Sequence, residues 1–354
     1  MTFESTKAYQ ELLPHFAARV KHNEPLARHS AFGVGGPADV WVSLETRSEA
    51  LGLVNLCAEK HWPLLIVGNG SNTLFSDAGV RGIVARMALS SYTLEERAPE
   101  QATLVADAGA NWPHLVHELA RQGWGGLEFG VGIPGSLGGA IFSNAGAHNR
   151  EIGEVVEWIE VLDARGANSE GEEYSYPLLR RYQHDELALS YRQSRFRMAR
   201  QVHYDEQGHL IAPPRHMIEP AEIVLQLGLR LHRAPPDQLQ QTLARYKQER
   251  SRSEPSHQER GTIFKDPSDG LVSRLLAQAD LLGMREGQAQ IALDNANYLV
   301  NLGGARAIDM AHLIEEAHRR VLARFGIDLQ LDVELLGDWA AVGRGPAEPI
   351  VMPS

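Results

Sequence analysis

The 354-residue sequence contains a single cysteine, Cys57. One thiol cannot close an intramolecular disulfide or build a thiolate cluster, which excludes secreted disulfide scaffolds, cysteine-ligated iron–sulfur centres and cysteine-based zinc sites. No run of about 18 apolar residues occurs, and the opening MTFESTKAYQELLPHF has no basic region followed by an apolar core. A cytoplasmic protein without membrane insertion is therefore expected. Positive charge is also in short supply: 34 Lys+Arg face 45 Asp+Glu, a formal net charge of −11, with no dense basic block. A nucleic-acid backbone or an anionic membrane surface is disfavoured as the main partner.

What is present is ordinary globular material, 43% hydrophobic and 22% charged, with length for two or three domains at roughly 150 residues each. In the first region, 1–87, Ala38–Leu44 reads as a strand. Thr46 and Glu49 fit a helix capping box, and Ala50, Leu53, Val54 and Cys57 recur at helical spacing, which puts Cys57 in the core. The apolar run Leu64–Val67 suits a buried strand that ends in Gly68-Asn-Gly-Ser-Asn72, and Arg81–Arg86 resumes extended structure.

The second region, 88–232, has one marked helix after Asn111, with Pro113 in its first turn and Gly123 past its end. Strands are expected at Val155–Asp163 and Glu222–Leu231, with a polar hairpin near Asp205–Gly208 and a glycine-dense segment, Gly130–Gly153, between strands. Pro235-Pro236 opens the third region, 233–327, which closes in a long helix stopped by Gly326. From Ile327 to Leu335 apolar and polar residues alternate, the pattern of a half-buried strand with Asp332 and Glu334 on its polar face. It opens the last segment, 328–354, which ends in a loose tail after Trp339.

Gly130-Val-Gly-Ile-Pro-Gly135 matches the dinucleotide fingerprint G-x-G-x-x-G, but Leu127-Glu-Phe is too brief for the strand it needs and Ser136–Gly139 are poor helix formers. The nucleophile-elbow pattern fails at Ser136, where Pro134 stands two residues before the serine. His114 and His117 share a helix without a third ligand at suggestive spacing, so no metal is expected. Two separate small-residue loops, each lacking a P-loop lysine, better suit a long ligand with a central pyrophosphate, such as a flavin dinucleotide.

Gly35-Gly-Pro-Ala-Asp39, Val67–Asn72, Ile133–Gly146, Ser190-Tyr-Arg-Gln-Ser194, Gly261-Thr-Ile-Phe-Lys-Asp-Pro267 and Ala296-Asn-Tyr-Leu-Val-Asn301 occur in that order. With them the chain, over residues 27–337, resembles the UDP-N-acetylenolpyruvoylglucosamine reductase family, flavoenzymes of peptidoglycan precursor synthesis. It is most similar to the subtype without a tyrosine-bearing substrate loop, since Leu231 runs straight into Pro235-Pro236. The resemblance implies an α+β fold: an FAD-binding domain of the vanillyl-alcohol-oxidase type in two subdomains, then a C-terminal α/β substrate domain.

It also implies NADPH as co-substrate, UDP-N-acetylglucosamine enolpyruvate as substrate, and hydride delivery from flavin N5. FAD contacts are implied at Val67, Gly68, Asn69, Gly70, Ser71 and Asn72, and at Gly132, Ile133, Pro134, Gly135, Ser136, Gly139, Ala140, Asn144, Ala145 and Gly146. Arg192 matches the catalytic arginine. Thr262 stands where the family usually has its proton-donor serine, and Asp332 where it has a glutamate, with Glu334 as second choice. Tyr191, Lys265 and Asn295 are implied substrate contacts, Asn295 at a position often held by histidine. Two readings compete: a flavin oxidase or dehydrogenase of the same fold with another substrate, and a non-catalytic UDP-sugar-binding protein. The hairpin between Arg195 and Glu222 is expected to be a surface elaboration.

Overall fold

Leu64–Val67 is buried throughout, as a continuous apolar run requires of an inner parallel strand. It pairs with Val80–Met87, which pairs with Pro37–Leu44, all parallel. Val20–Pro25 and the short Ile218–Glu219 form the edges of this five-stranded sheet. This computed structural model describes residues 3–339 apart from 169–174, 199, 214, 253, 257–259 and 268–270. The tail expected after Trp339 lies outside the described residues.

Helices α1 (Ser5–Phe16) and α2 (Arg47–Lys60) fill the core on this sheet with Leu12 and Phe16, and with Leu53, Val54 and Cys57. Thr46 starts α2 through the expected capping box: its Oγ1 accepts from Glu49 N at 3.2 Å, and the Glu49 carboxylate accepts from Thr46 N at 3.2 Å. Cys57 is fully buried and burial pushes its thiol pKa up, so it packs as a small apolar group.

The second sheet is antiparallel, in the order Leu178–Gln183, Val156–Asp163, Glu222–Arg233, Gln101–Asp107, Tyr92–Ala98. Onto it pack α3 (Trp112–Arg121), capped by the Asn111 side chain, and α4 (Leu137–Phe142). The expectation that Ser136–Gly139 would not start a helix is corrected. Ser136 Oγ caps α4 by accepting from Gly139 N at 3.4 Å, and burial of Leu137, Ala140 and Ile141 outweighs the poor propensity of the glycines. The objection to a strand before the fingerprint stands, for Glu128–Gly130 is a 3-10 turn.

A short α5 (Arg195–Met198) precedes the long second-sheet strand, and α6 (Pro236–Ser251) follows it directly. Leu239 and Leu243 of α6 complete the second core, so by packing this region extends past Pro235-Pro236 to the end of α6. A third core lies under α7 (Val272–Gln278), α8 (Ala307–Phe325) and a four-stranded antiparallel sheet in the order Arg260–Thr262, Tyr298–Asn301, Ala289–Ile291, Arg285–Glu286.

The segment between Arg195 and Glu222 is more than the surface elaboration expected of it. Its hairpin lays Tyr204 on His318 of α8, ring centroids 3.6 Å apart, and Leu210 N donates to the Glu315 carboxylate at 2.7 Å. It then returns to the first sheet through Ile218–Glu219. The alternating strand expected over 327–335 is also corrected. Only Glu334–Leu336 forms a strand, parallel to Thr73–Phe75, after an isolated bridge from Leu331 to Phe264. The alternation fails at Asp332, which is buried against an arginine instead of facing water.

Candidate active site

The strand-end loop 68–72 and the loop 132–136 pack against each other and together line a cavity of about 470 Å³. Gly70 has φ +65°, and a Cβ there would sit 1.8 Å from the His29 carbonyl oxygen. Gly135 has φ +120°, and its Cβ would lie 2.7 Å from Ser71 Oγ. Only glycine gives these loops their left-handed turns and lets them approach so closely. The structure places Val67, Gly68, Asn69, Gly70, Ser71, Asn72, Gly132, Ile133, Pro134, Ser136, Gly139, Ala140, Ala145 and Gly146 on the wall. Gly135 and Asn144 lie outside it.

Asn144 works behind the wall. Its buried side chain donates to the Ser190 carbonyl at 2.8 Å and to Glu151 at 2.6 Å, and accepts from Gly153 N at 2.9 Å. Ser190 and Gln193 exchange backbone hydrogen bonds, which closes a tight turn carrying Arg192 at φ +52°. A left-handed arginine is strained, and the anchors around it hold that strain at the cavity. The same turn carries Tyr191 outward.

At this end of the cavity charge is dense. Asp332 Oδ2 lies 3.9 Å from Arg192 Nε and accepts from Thr262 Oγ1 at 3.5 Å, while Asp332 Oδ1 accepts from Arg197 Nη1 at 3.0 Å. Burial alone would raise the Asp332 pKa, but the Arg192 and Arg197 charges outweigh it and hold the carboxyl below its ordinary value. Glu334 Oε1 is 2.8 Å from Arg197 Nε, so the cluster contains both candidate carboxylates, in different places. Asn72 joins the two ends of the cavity: its Nδ2 donates to the Asp332 carbonyl at 2.7 Å, and its carbonyl accepts from Glu334 N at 3.0 Å.

Lys265 and Tyr191 line a neighbouring cavity of about 280 Å³. Burial, then the Arg197 charge, lower the Lys265 pKa to about 8. Asn295 lines neither cavity; its Oδ1 accepts from Asn297 N at 3.1 Å. Asn297 itself brackets Phe264, bonding its N and its carbonyl at 2.9 Å each, and so fixes the turn after Thr262. Sequence reasoning missed Arg197, as well as Arg200, Arg250, Arg260 and Tyr298 on the wall. None of them repeats at a telling spacing.

Glycine-packed loops suited to a pyrophosphate, with a densely charged end beyond them, define a flavoprotein oxidoreductase. The Asn72 Oδ1, buried on this wall without a hydrogen-bond partner, is an acceptor that the N–H and O–H groups of a flavin dinucleotide can fill, so the residues present fit FAD. Residues 38–169 match a family model described as an FAD binding domain. Residues 254–336 match one described as UDP-N-acetylenolpyruvoylglucosamine reductase, C-terminal domain.

The chain is 35% identical over 319 residues to the UDP-N-acetylenolpyruvoylglucosamine reductase of Rubrobacter xylanophilus, spanning 90% of this chain and 95% of that one. With the Heliobacterium modesticaldum reductase it shares 33% over 327 residues, 91% and 92% of the two chains. The crystal structure of the Thermus caldophilus reductase superposes with a TM-score of 0.67 at 31% identity, covering 90% of this chain and 98% of that one. The chain belongs to the UDP-N-acetylenolpyruvoylglucosamine reductase family. The match of its C-terminal domain to that family's own domain disfavours the wider oxidase reading and the binding-only reading. Among the described residues no group of side chains is arranged to hold a metal ion, and no helix is long and apolar enough to cross a membrane.

Proposed function

We propose that this chain reduces UDP-N-acetylglucosamine enolpyruvate to UDP-N-acetylmuramate in the cytoplasm, with NADPH as electron source and Arg192, Thr262 and Asp332 as the residues that act on the substrate. The reading is carried by the convergence of a guanidinium, a hydroxyl and a buried carboxylate at one end of the glycine-lined cavity. FAD, when bound, would supply the hydride chemistry that links NADPH to the terminal carbon of the enolpyruvyl double bond. The loops 68–72 and 132–136 hold it, offering backbone where side chains would obstruct the pyrophosphate.

Hydride addition leaves negative charge shared between the adjacent carbon and the substrate carboxylate. Arg192 offers that carboxylate two parallel N–H donors from a backbone already fixed, so little reorganisation is needed as charge develops. Thr262 Oγ–H supplies the proton to the adjacent carbon. Its contact with Asp332 is at the long limit of hydrogen bonding, which leaves the hydroxyl able to turn toward the substrate. Lys265 and Tyr191, which line the neighbouring cavity, offer a cation and a phenol to the anionic UDP-sugar part.

Purified protein carrying FAD should lose its visible flavin absorbance on anaerobic addition of NADPH. It should regain it, one equivalent for one, on addition of UDP-N-acetylglucosamine enolpyruvate, with UDP-N-acetylmuramate as product by mass. Reduced flavin that persists in the presence of that substrate would refute the proposal.

A further inference from the structure

We propose that Arg197 is a positioning residue of the reductase reaction: its guanidinium sorts the two terminal carboxylates, turning Asp332 toward Thr262 and Arg192 while holding Glu334 apart. The inference rests on the functional reading above.

A guanidinium has five N–H donors; four are hydrogen-bonded here and Nε is ion-paired. Nε faces Glu334 Oε1 at 2.8 Å. Nη1 donates to Asp332 Oδ1 at 3.0 Å and to the Arg192 carbonyl at 3.1 Å. Nη2 donates to the Asp332 carbonyl at 2.5 Å and to the Leu331 carbonyl at 3.4 Å. The side chain is only 5% exposed. With its guanidinium engaged by these groups and little surface, Arg197 does not bind substrate; it fixes the groups that do. The bond to the Arg192 carbonyl also locks the strained turn, so one side chain sets both the arginine and the carboxylate of the reacting end.

Local structure aims it there. Ser194 Oγ accepts from Arg197 N at 3.3 Å and donates to the Phe142 carbonyl at 2.6 Å, which ties α5 to the end of α4 and turns Arg197 inward. Its carboxylate partner Asp332 lies 135 positions downstream. The charged and titratable groups around Asp332 are the cations Arg192, Arg197 and Lys265, the carboxylate of Glu334, and the Tyr191 phenol, which burial keeps neutral. Without Arg197, two carboxylates share one site and the buried one loses its shortest cation contact, so protonation of Asp332 becomes easier. Lysine cannot replace the fork, because an ammonium is a point charge that cannot meet Glu334 and Asp332 in fixed directions at once.

The test uses Arg197→Lys and Arg197→Met in the FAD-loaded enzyme, each half-reaction being followed separately by stopped-flow. Arg197→Lys should bind FAD and be reduced by NADPH at close to the wild-type rate. Its reoxidation by UDP-N-acetylglucosamine enolpyruvate should slow about 10²-fold, and the acid limb of that step should move up by about one pH unit. Adding Glu334→Gln to Arg197→Lys, which removes the competing charge, should recover about tenfold. Equal slowing of both half-reactions, or slow reoxidation with an unmoved acid limb and no recovery, would overturn the proposal in favour of packing alone.

If Arg197→Met does not fold, the lysine variant carries the test. A readout that needs no turnover separates this inference from the substrate assignment. The infrared carbonyl band of protonated Asp332, identified by its loss when Asp332→Asn is added, should appear about one pH unit higher in Arg197→Lys than in wild type. A band that appears at the same pH in both would overturn the sorting role, whatever the substrate proves to be.

Discussion

Along the loops 68–72 and 132–136 the cavity wall is made of glycine, small side chains and backbone, whereas at the far end Arg192, Thr262, Asp332 and Glu334 crowd together around Arg197. The first kind of wall recognises by shape and close approach, and it does not depend on protonation. The second works by charge held in fixed directions, and it does. The overall charge of −11 opposes anionic ligands, yet the wall is balanced: Arg192, Arg200, Arg250 and Arg260 stand against Glu222, Glu254, Asp332 and Glu334. Attraction therefore comes from where each cation points, and binding and chemistry can be damaged separately.

The sharpest break is at the proton donor. Thr262→Ala should leave FAD binding and NADPH reduction near wild type while slowing reoxidation by substrate about 10³-fold, and Thr262→Ser should keep most of the rate. Stopped-flow on both half-reactions checks this; equal losses would erase the division between the two ends. Next is Arg192→Lys, which keeps the charge but loses the planar fork, with about a 10²-fold loss confined to the same half-reaction.

The opposite lesion is Gly135→Ala. A Cβ at φ +120° adds about 1–3 kcal/mol of strain and meets Ser71 Oγ. FAD affinity, measured by fluorescence titration, should fall about tenfold or more, while the flavin-loaded fraction turns over normally. The smallest effect belongs to Lys265. With its pKa lowered to about 8, it loses its positive charge as pH rises through that value, well before an ordinary lysine. Substrate affinity should drop roughly threefold between about pH 7 and pH 9, and Lys265→Met should flatten that dependence.

The two ends also differ in how far they could be read from sequence. The glycine loops were legible because close backbone approach permits few residue types, and Gly70 and Gly135 occupy conformations that side chains oppose. Arg192, Thr262 and Asp332 were legible only through ordered motifs, since nothing local marks an arginine in a turn or an aspartate near the chain end. Arg197 was not legible at all: the carboxylate it turns, Asp332, lies 135 positions away, and no periodicity points across that distance. The same pair explains the misread strand over 327–335. Asp332 looked like a solvent-facing polar residue because sequence alternation cannot tell an acid facing water from one buried against a guanidinium.

Asp332→Asn tests the division most directly, because it removes one charge at the reacting end and alters nothing on the glycine wall. FAD affinity and both half-reaction rates should be measured on the same preparation. The expected result is FAD affinity and NADPH reduction within about threefold of wild type, with reoxidation by UDP-N-acetylglucosamine enolpyruvate slowed about 10²-fold or more. Loss of FAD binding, or the same slowing in both half-reactions, would contradict it.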